Sequence, residues 1–206
     1  MRGAAGTDWT FDDLAERVDH IAAGLRAGGV GEGWRVAVAL ANSPEAVVTL
    51  LAVIAVDATL VVANHSWWPR DLRTALDRAE VDLFIGDGAL TAAVSDICLT
   101  AIPPIALPRD GLSRRSRRGH HEIEMSLIAL SAGSRGEPYP VGFSRDQVRA
   151  WSSYDSPPAG ASLIVTTELG HLPTLRRVLV TLAAGGCVEL RPRWRESSLL
   201  DRKSVV

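Results

Sequence analysis

A chain of 206 residues with 47% hydrophobic content can bury a sizeable core, so composition predicts one globular domain, residues 1–206, with a short tail at 202–206. The formal net charge of -2 gives no reason to expect nucleic acid as a partner. Nearly all cationic side chains are arginine, and Lys203 is the only lysine, which excludes mechanisms that need a lysine inside the folded body.

Cysteine spacing and the first residues bear on the cellular compartment. Cys98 and Cys187 form neither a CxxC pair nor a metal-ligand spacing, so we expect a reduced, cytoplasmic protein without a metal site. Residues 1–8 lead into an acidic helical pattern and lack the basic start and apolar core of a signal peptide. The apolar run 46–63 is interrupted by Asp57, and we interpret it as a buried helix and a buried strand, with no membrane span.

Short apolar strands alternate with amphipathic helices over residues 10–100. The pattern predicts a helix from Phe11 to 27 capped by Thr10, a strand at 35–40, a helix from Pro44 capped by Asn42 or Ser43, a strand at 59–62, a helix from Pro69, a strand at 81–85 and a helix at 90–100. Alternation of this kind indicates parallel strands joined by helical crossovers. The expected fold class is therefore α/β, with a layered, mostly parallel sheet flanked by helices.

Residues 103–124 interrupt the alternation with prolines and an arginine cluster at 114–118. The cluster could bind phosphate or RNA, but no aromatic residues are interleaved, so we interpret the segment as an exposed loop. The adjacent His120 and His121 lack the usual metal-ligand spacing. Alternation then resumes, with strands at 125–130, 161–165 and 187–190, helices at 145–152 and 172–184, and a helix-like turn at 195–200.

A glycine-punctuated loop, residues 131–141, follows the apolar strand 125–130 directly. Such loops bind anions when backbone N–H groups converge and short hydroxyl side chains add donors, while glycine permits the required torsions. The candidate nucleotide-binding residues are Ser131, Gly133, Ser134, Arg135 and Gly136. Arginine suits phosphate geometry, and the carboxyl end of a parallel strand is the usual ligand position. A Walker-type loop is excluded because no Gly-Lys-Ser/Thr ends the segment.

Five motifs in this order resemble the amino-terminal portion of adenylate-forming enzymes, the superfamily of acyl-CoA synthetases, peptide-synthetase adenylation domains and luciferases. They are TFDDL at 10–14, GVGEGWRVA at 29–37, NSPE at 42–45, SAGSRGEPYPV at 131–141 and LAAGGCVEL at 182–190. The resemblance implies the same α/β fold, an acyl or aminoacyl substrate, and ATP or AMP at the glycine loop, with Mg2+ only if ATP binds.

The loop departs from the family pattern at four places, which weighs against nucleotide binding. Ala132 replaces a hydroxyl residue, Arg135 a small hydroxyl residue, Tyr139 the lysine and Pro140 a glycine. His171 lies within about one position of a family region that lines the acyl pocket, so the resemblance implies a substrate contact there; the alternative is a polar residue that merely begins a helix.

Adenylating relatives continue beyond the matched portion with a magnesium-binding carboxylate and a catalytic lysine that have no counterpart in this sequence. We therefore expect a truncated adenylation-like protein, related to ATP-dependent acid ligases, that cannot adenylate alone and acts as a partner-dependent module in acyl or aminoacyl activation. Alternatives are half of a split ligase, or a repurposed enzyme acting on an acyl or carrier-bound substrate. In relatives, later segments cover the sheet and helix faces of this portion, and here we expect those faces to be exposed. Exposed apolar faces and open strand edges predict a homo-oligomer or a complex with another biosynthetic protein. Arginine and alanine richness suggests a bacterial source and a secondary-metabolite or lipid pathway.

Overall fold

The computed structural model describes residues 1–3, 8–101, 125–131 and 138–191. Its elements in chain order are α1 (Phe11–Ala27), β1 (Arg35–Ala39), α2 (Pro44–Ala55), β2 (Thr59–Val62), α3 (Pro69–Arg78), β3 (Leu83–Gly86), α4 (Gly88–Val94), β4 (Leu99–Ala101), β5 (Met125–Leu130), β6 (Pro140–Ser144), α5 (Arg145–Tyr154), β7 (Ser162–Val165), α6 (Leu172–Ala183) and β8 (Cys187–Leu190). The loop predicted at 103–124, the turn at 195–200 and the tail at 202–206 lie outside the described residues.

Side-chain caps begin several helices at the expected positions. The Thr10 hydroxyl accepts the Asp13 N–H at 3.1 Å, and the Asp13 carboxylate accepts the Thr10 N–H at 2.8 Å. The backbone N–H of Thr10, followed by its hydroxyl, lowers the pKa of Asp13. Of the two caps considered for α2, Ser43 is the one used, since its hydroxyl accepts the Ala46 N–H at 3.1 Å.

Six strands form the main sheet in the order β4-β3-β1-β2-β5-β6. All neighbouring pairs are parallel except β5 and β6, which are antiparallel. The predicted layered, mostly parallel sheet is therefore confirmed. Because β1, β2, β3 and β5 run in one direction, their carboxyl ends meet at one edge, which we call the carboxyl edge. It comprises the residues that directly follow those strands.

Alternate residues of each strand face two different cores. Val36, Val38 and Val62 pack with α1 and α2 in the larger cluster. Ala37 and Val61 face the opposite side and pack with α3 and α4. The sheet is thus covered on both faces, as its continuous apolar strands require.

A second, smaller unit consists of the parallel pair β7 and β8 with α6. Val165, Leu175 and Val188 belong to the same core as the α2 face of the main sheet. The chain start joins this unit, because the Arg2 N–H donates to the Val188 carbonyl at 2.8 Å and the Arg2 carbonyl accepts the Leu190 N–H at 2.9 Å.

Two parts of the sheet differ from the sequence prediction. The helix predicted at 90–100 ends at Val94, and the last three residues described before the 102–124 gap form β4, which pairs with β3. β6 was not predicted, because Pro140 and Gly142 weaken strand propensity; Pro140 is tolerated on this edge strand.

The apolar run 46–63 is confirmed as a helix followed by a strand, α2 and β2. Within the ranges described above, no helix has both the length and the apolar character needed to cross a membrane.

Candidate ligand site at the carboxyl edge

The glycine loop is closed at its base by a pair of hydrogen bonds. The Ser131 N–H donates to the Tyr139 carbonyl at 2.9 Å, and the Tyr139 N–H donates to the Ser131 hydroxyl oxygen at 3.0 Å. From the last turn of α3, the Arg78 guanidinium donates to the Pro138 carbonyl at 3.0 Å. The Ser131 hydroxyl accepts in this arrangement and retains its own hydrogen for donation to a ligand.

The tip of the loop, residues 132–137, lies outside the described residues. The nucleotide contacts predicted for Gly133, Ser134, Arg135 and Gly136 therefore stay predictions. Ser131 is located at the carboxyl edge, directly after β5. This is the position in which parallel α/β sheets hold ligands.

Tyr139 stands at the position where the loop pattern of adenylate-forming enzymes has a lysine. Its side chain is 57% exposed. A phenol carries no positive charge in any protonation state, so this position can hydrogen-bond a phosphate but cannot neutralise one. Within the four described ranges the chain contains no lysine at all.

Asn42, from the NSPE motif, holds the smaller unit against the carboxyl edge. Its amide oxygen accepts the Leu169 N–H at 2.9 Å. Its amide nitrogen donates to the carbonyls of Thr167 at 2.8 Å and Arg191 at 3.3 Å. Asn42 is buried, and these bonds satisfy both ends of its side chain. They place the turn that precedes α6 beside the end of β1.

The same turn presses directly on the residues that follow β2. A Cβ added to Gly170 would lie 2.5 Å from both the Ala63 carbonyl oxygen and the Asn64 Cα, so only glycine permits this approach. The next residue, His171, is the N-cap of α6, makes no side-chain capping bond and is exposed. Its Nε2 lies 3.4 Å from the Asn64 amide nitrogen.

Ser131 and His171 therefore lie at the same edge of the sheet. Ser131 follows β5, His171 contacts Asn64, two residues after the end of β2, and β5 pairs with β2. The role predicted for His171 as a substrate contact stays a prediction, and its position at this edge is compatible with it.

A small cavity opens next to this contact. Its volume is about 10 Å3, close to the space of one water molecule. The lining residues are Val38, Leu40, Ala46, Leu50, Val62, Ala63, Leu169 and Gly170. The side chains in this lining are apolar, and Asn64 and His171 directly follow the lining residues Ala63 and Gly170 along the chain.

A second polar contact, which the sequence did not predict, lies at the carboxyl edge. The His65 Nε2 lies 2.7 Å from the Asp87 carboxylate, whose other oxygen accepts the Leu90 N–H at 3.1 Å and caps α4. Burial raises the pKa of Asp87, but the hydrogen bonds from Leu90 and His65 outweigh it, and the pKa is lowered overall. The Ser66 N–H donates to the Glu168 carboxylate at 3.3 Å. Polar residues directly after a buried strand were the available signal.

Among the residues that the structure places, no group of three or more histidine, cysteine, aspartate or glutamate side chains could hold a metal ion.

Solved structures share this architecture. The crystal structure of ATP-bound MatB from Rhodopseudomonas palustris superposes with a TM-score of 0.80 at 22% identity, covering 100% of this chain and 44% of that chain. The fold is that of the N-terminal domain of adenylate-forming enzymes. The chain belongs to the AMP-binding enzyme family, whose model matches residues 2–202.

Curated relatives agree with this assignment. The hybrid PKS-NRPS synthetase pydA of Acremonium sp is 23% identical over 219 residues, which cover 100% of this chain and 5% of that protein. The probable CoA ligase CCL9 of Humulus lupulus is 32% identical over 124 residues, covering 58% of this chain and 24% of that protein. The chain thus spans a minor part of these relatives and about half of the solved structures that it matches.

Proposed function

We propose that this chain binds a carboxylic or amino acid and a nucleotide at the carboxyl edge, and that it does not form the acyl-adenylate by itself. It acts instead as a partner-dependent module in an acid-activating pathway. Family membership and the ATP-bound structural neighbour support the ligand classes. The hydrogen-bonded base of the glycine loop supports retention of the phosphate-binding position.

The observation that carries the proposal is Tyr139. Adenylation brings a carboxylate anion against the α-phosphate and releases pyrophosphate, so its rate depends on positioned positive charge around the phosphates. At the position of the family's lysine, this chain presents an exposed phenol. The loop keeps its attachment to the sheet but lacks the cation at its exit, which favours binding over catalysis.

The exposed apolar side chains support a partner. The large hydrophobic residues exposed in the described ranges are Phe11, Trp68, Tyr139, Val141, Tyr154 and Ile164. Tyr139 and Val141 lie together at the edge strand β6, and an open strand edge with apolar neighbours is suited to association. The partner is a second copy of this chain or another biosynthetic protein.

A second candidate is half of a split acyl- or aminoacyl-AMP ligase. The glycine and serine residues of the loop at 133–136 favour it, because they retain the anion-binding composition. In this case the partner supplies the missing cation and completes the reaction.

ATP–pyrophosphate exchange by the purified 206-residue chain tests the proposal. We expect no exchange above a no-protein blank over a panel of aliphatic, aromatic and amino acids, together with a thermal shift on addition of ATP. Exchange that appears only when a candidate partner is added identifies the split ligase. Exchange by the chain alone would contradict the proposal, and so would the absence of any shift with ATP and with every acid.

A further inference from the structure

Asn64 is a buried amide with one end unsatisfied. The residue is 7% exposed, and its amide oxygen has no hydrogen-bond partner. A buried acceptor without a donor costs about 1–3 kcal/mol, so folded proteins seldom leave one except where a water or a ligand completes it. Asn42 provides the contrast, because it lies at the same edge with both amide ends bonded.

The other end of the Asn64 amide points to His171. The Asn64 amide nitrogen lies 3.4 Å from the His171 Nε2. When Nε2 accepts this hydrogen bond, the ring carries its proton on Nδ1, which stays a donor on an exposed side chain. The pair then offers one acceptor, the Asn64 oxygen, and one donor, the His171 Nδ1.

Rotating the amide by 180° exchanges these roles. The Asn64 oxygen would then accept from Nε2–H, which leaves the buried amide nitrogen as a donor and Nδ1 as an acceptor. In both arrangements the pair presents one donor and one acceptor. A hydroxyl group, which both donates and accepts, complements either arrangement.

We propose that Asn64 and His171 form a recognition site for a hydroxyl group on the acid that this chain binds. The proposal rests on the proposed function, in that the ligand is a carboxylic acid. Gly170 sets the geometry, since its contact with the Ala63 and Asn64 backbone brings His171 within reach. An acid that lacks the hydroxyl leaves the Asn64 amide unpaired, which penalises its binding.

Matched acid pairs test the site on the full 206-residue chain. The pairs are lactate with propionate, 3-hydroxybutyrate with butyrate, mandelate with phenylacetate, and salicylate with benzoate. Dissociation constants are measured by titration calorimetry. In at least one pair we expect the hydroxylated acid to bind about tenfold tighter, because only it satisfies the buried amide.

Two variants assign that preference to the pair. Asn64→Leu and His171→Ala should each bring the two acids of the pair within about twofold of each other. His20→Ala, at an exposed position on α1, is the matched histidine control and should keep the preference. A preference that survives both site variants, or a wild-type chain that binds acids without any preference, overturns the proposal.

Thermal unfolding of two variants distinguishes failure of this proposal from failure of the proposed function on which it rests. Asn64→Leu should leave the melting temperature within a few degrees of wild type, whereas Asn42→Leu, which breaks bonds to Leu169, Thr167 and Arg191, should lower it clearly. If Asn64→Leu is as damaging as Asn42→Leu, the Asn64 amide is a structural group and the recognition site is refuted. Binding of no acid at all refutes the proposed function as well.

Discussion

Substitution of Gly170 by alanine tests the close approach that forms the site. The added Cβ would lie 2.5 Å from the Ala63 oxygen and 2.5 Å from the Asn64 Cα, where real Cβ contacts do not occur. Both atoms belong to the backbone at the end of β2, so a side-chain rotation cannot relieve the overlap. The turn must move, although Asn42 holds the adjacent Leu169 N–H at 2.9 Å.

We expect Gly170→Ala to lower the free energy of unfolding by about 1–3 kcal/mol, the usual cost of overpacking. For a chain of 206 residues that corresponds to a fall in melting temperature of about 2–12 °C. His171 moves with the turn, so the preference for hydroxylated acids should disappear in the same variant.

Equilibrium urea unfolding, followed by far-ultraviolet circular dichroism, measures the change. The matched control is Gly88→Ala at the start of α4, where an added Cβ meets nothing within 4 Å. The control should be neutral or stabilising by about 0.4–1 kcal/mol. If Gly170→Ala is as stable as the control, the turn is not packed on the end of β2 and the reasoning fails.

Three further predictions concern charge and assembly. The pKa of Asp87 is lowered in the folded chain, so the stability that its carboxylate contributes is present above the unfolded pKa and is lost as the pH falls through the folded pKa. Urea midpoints should therefore fall less steeply between pH 7 and pH 3 in Asp87→Asn than in the wild type, and the difference in free energy of unfolding should stay below about 1 kcal/mol because the carboxylate is partly exposed. An identical pH dependence in the two proteins would refute the assignment. Tyr139→Lys should tighten ATP binding about tenfold in titration calorimetry, whereas the same substitution at the other exposed tyrosine, Tyr154→Lys, should not; equal gains would show a nonspecific charge effect. Sedimentation velocity at micromolar concentration should show a dimer, or a complex when the partner is present, and a monodisperse monomer under both conditions would count against the proposed assembly.

Local signals in the sequence predicted most of the fold. Thr10 caps α1 at the expected residue, and α5 begins at the expected residue 145 behind the cap Ser144, because a hydroxyl beside free backbone N–H groups is a short-range feature that the sequence displays. The apolar strands 59–62 and 125–130 were located for a similar reason, since strands buried on both faces appear as continuous apolar runs.

The strands at both edges of the sheet were harder to predict. β4 is three residues long and depends on pairing with β3, a contact that the helical periodicity of 90–100 conceals. β6 contains Gly142, where a Cβ would overlap the Met125 side chain across the strand pair. Both edge strands are therefore stabilised by pairing with a neighbouring strand, because their own residues have weak strand propensity.

The polar contacts of the candidate site could not be predicted from the sequence either. Asn64 and His171 are 107 residues apart, and His65 and Asp87 are 22 apart, so no spacing rule connects them. The family resemblance indicated His171 but not its neighbour. Only the packing of Gly170 against the end of β2 shows that these residues meet.

The amide of Asn42 has a mechanical consequence. Because this one side chain bonds Thr167, Leu169 and Arg191 together, it links the β7–β8 unit to the residues that follow β1. A protein that displaces the β7–β8 unit would therefore have to break these bonds or move the residues that follow β1 as well. Ligand binding lost on replacing Asn42 would report the broken link between the two units and would not identify a group that contacts the ligand.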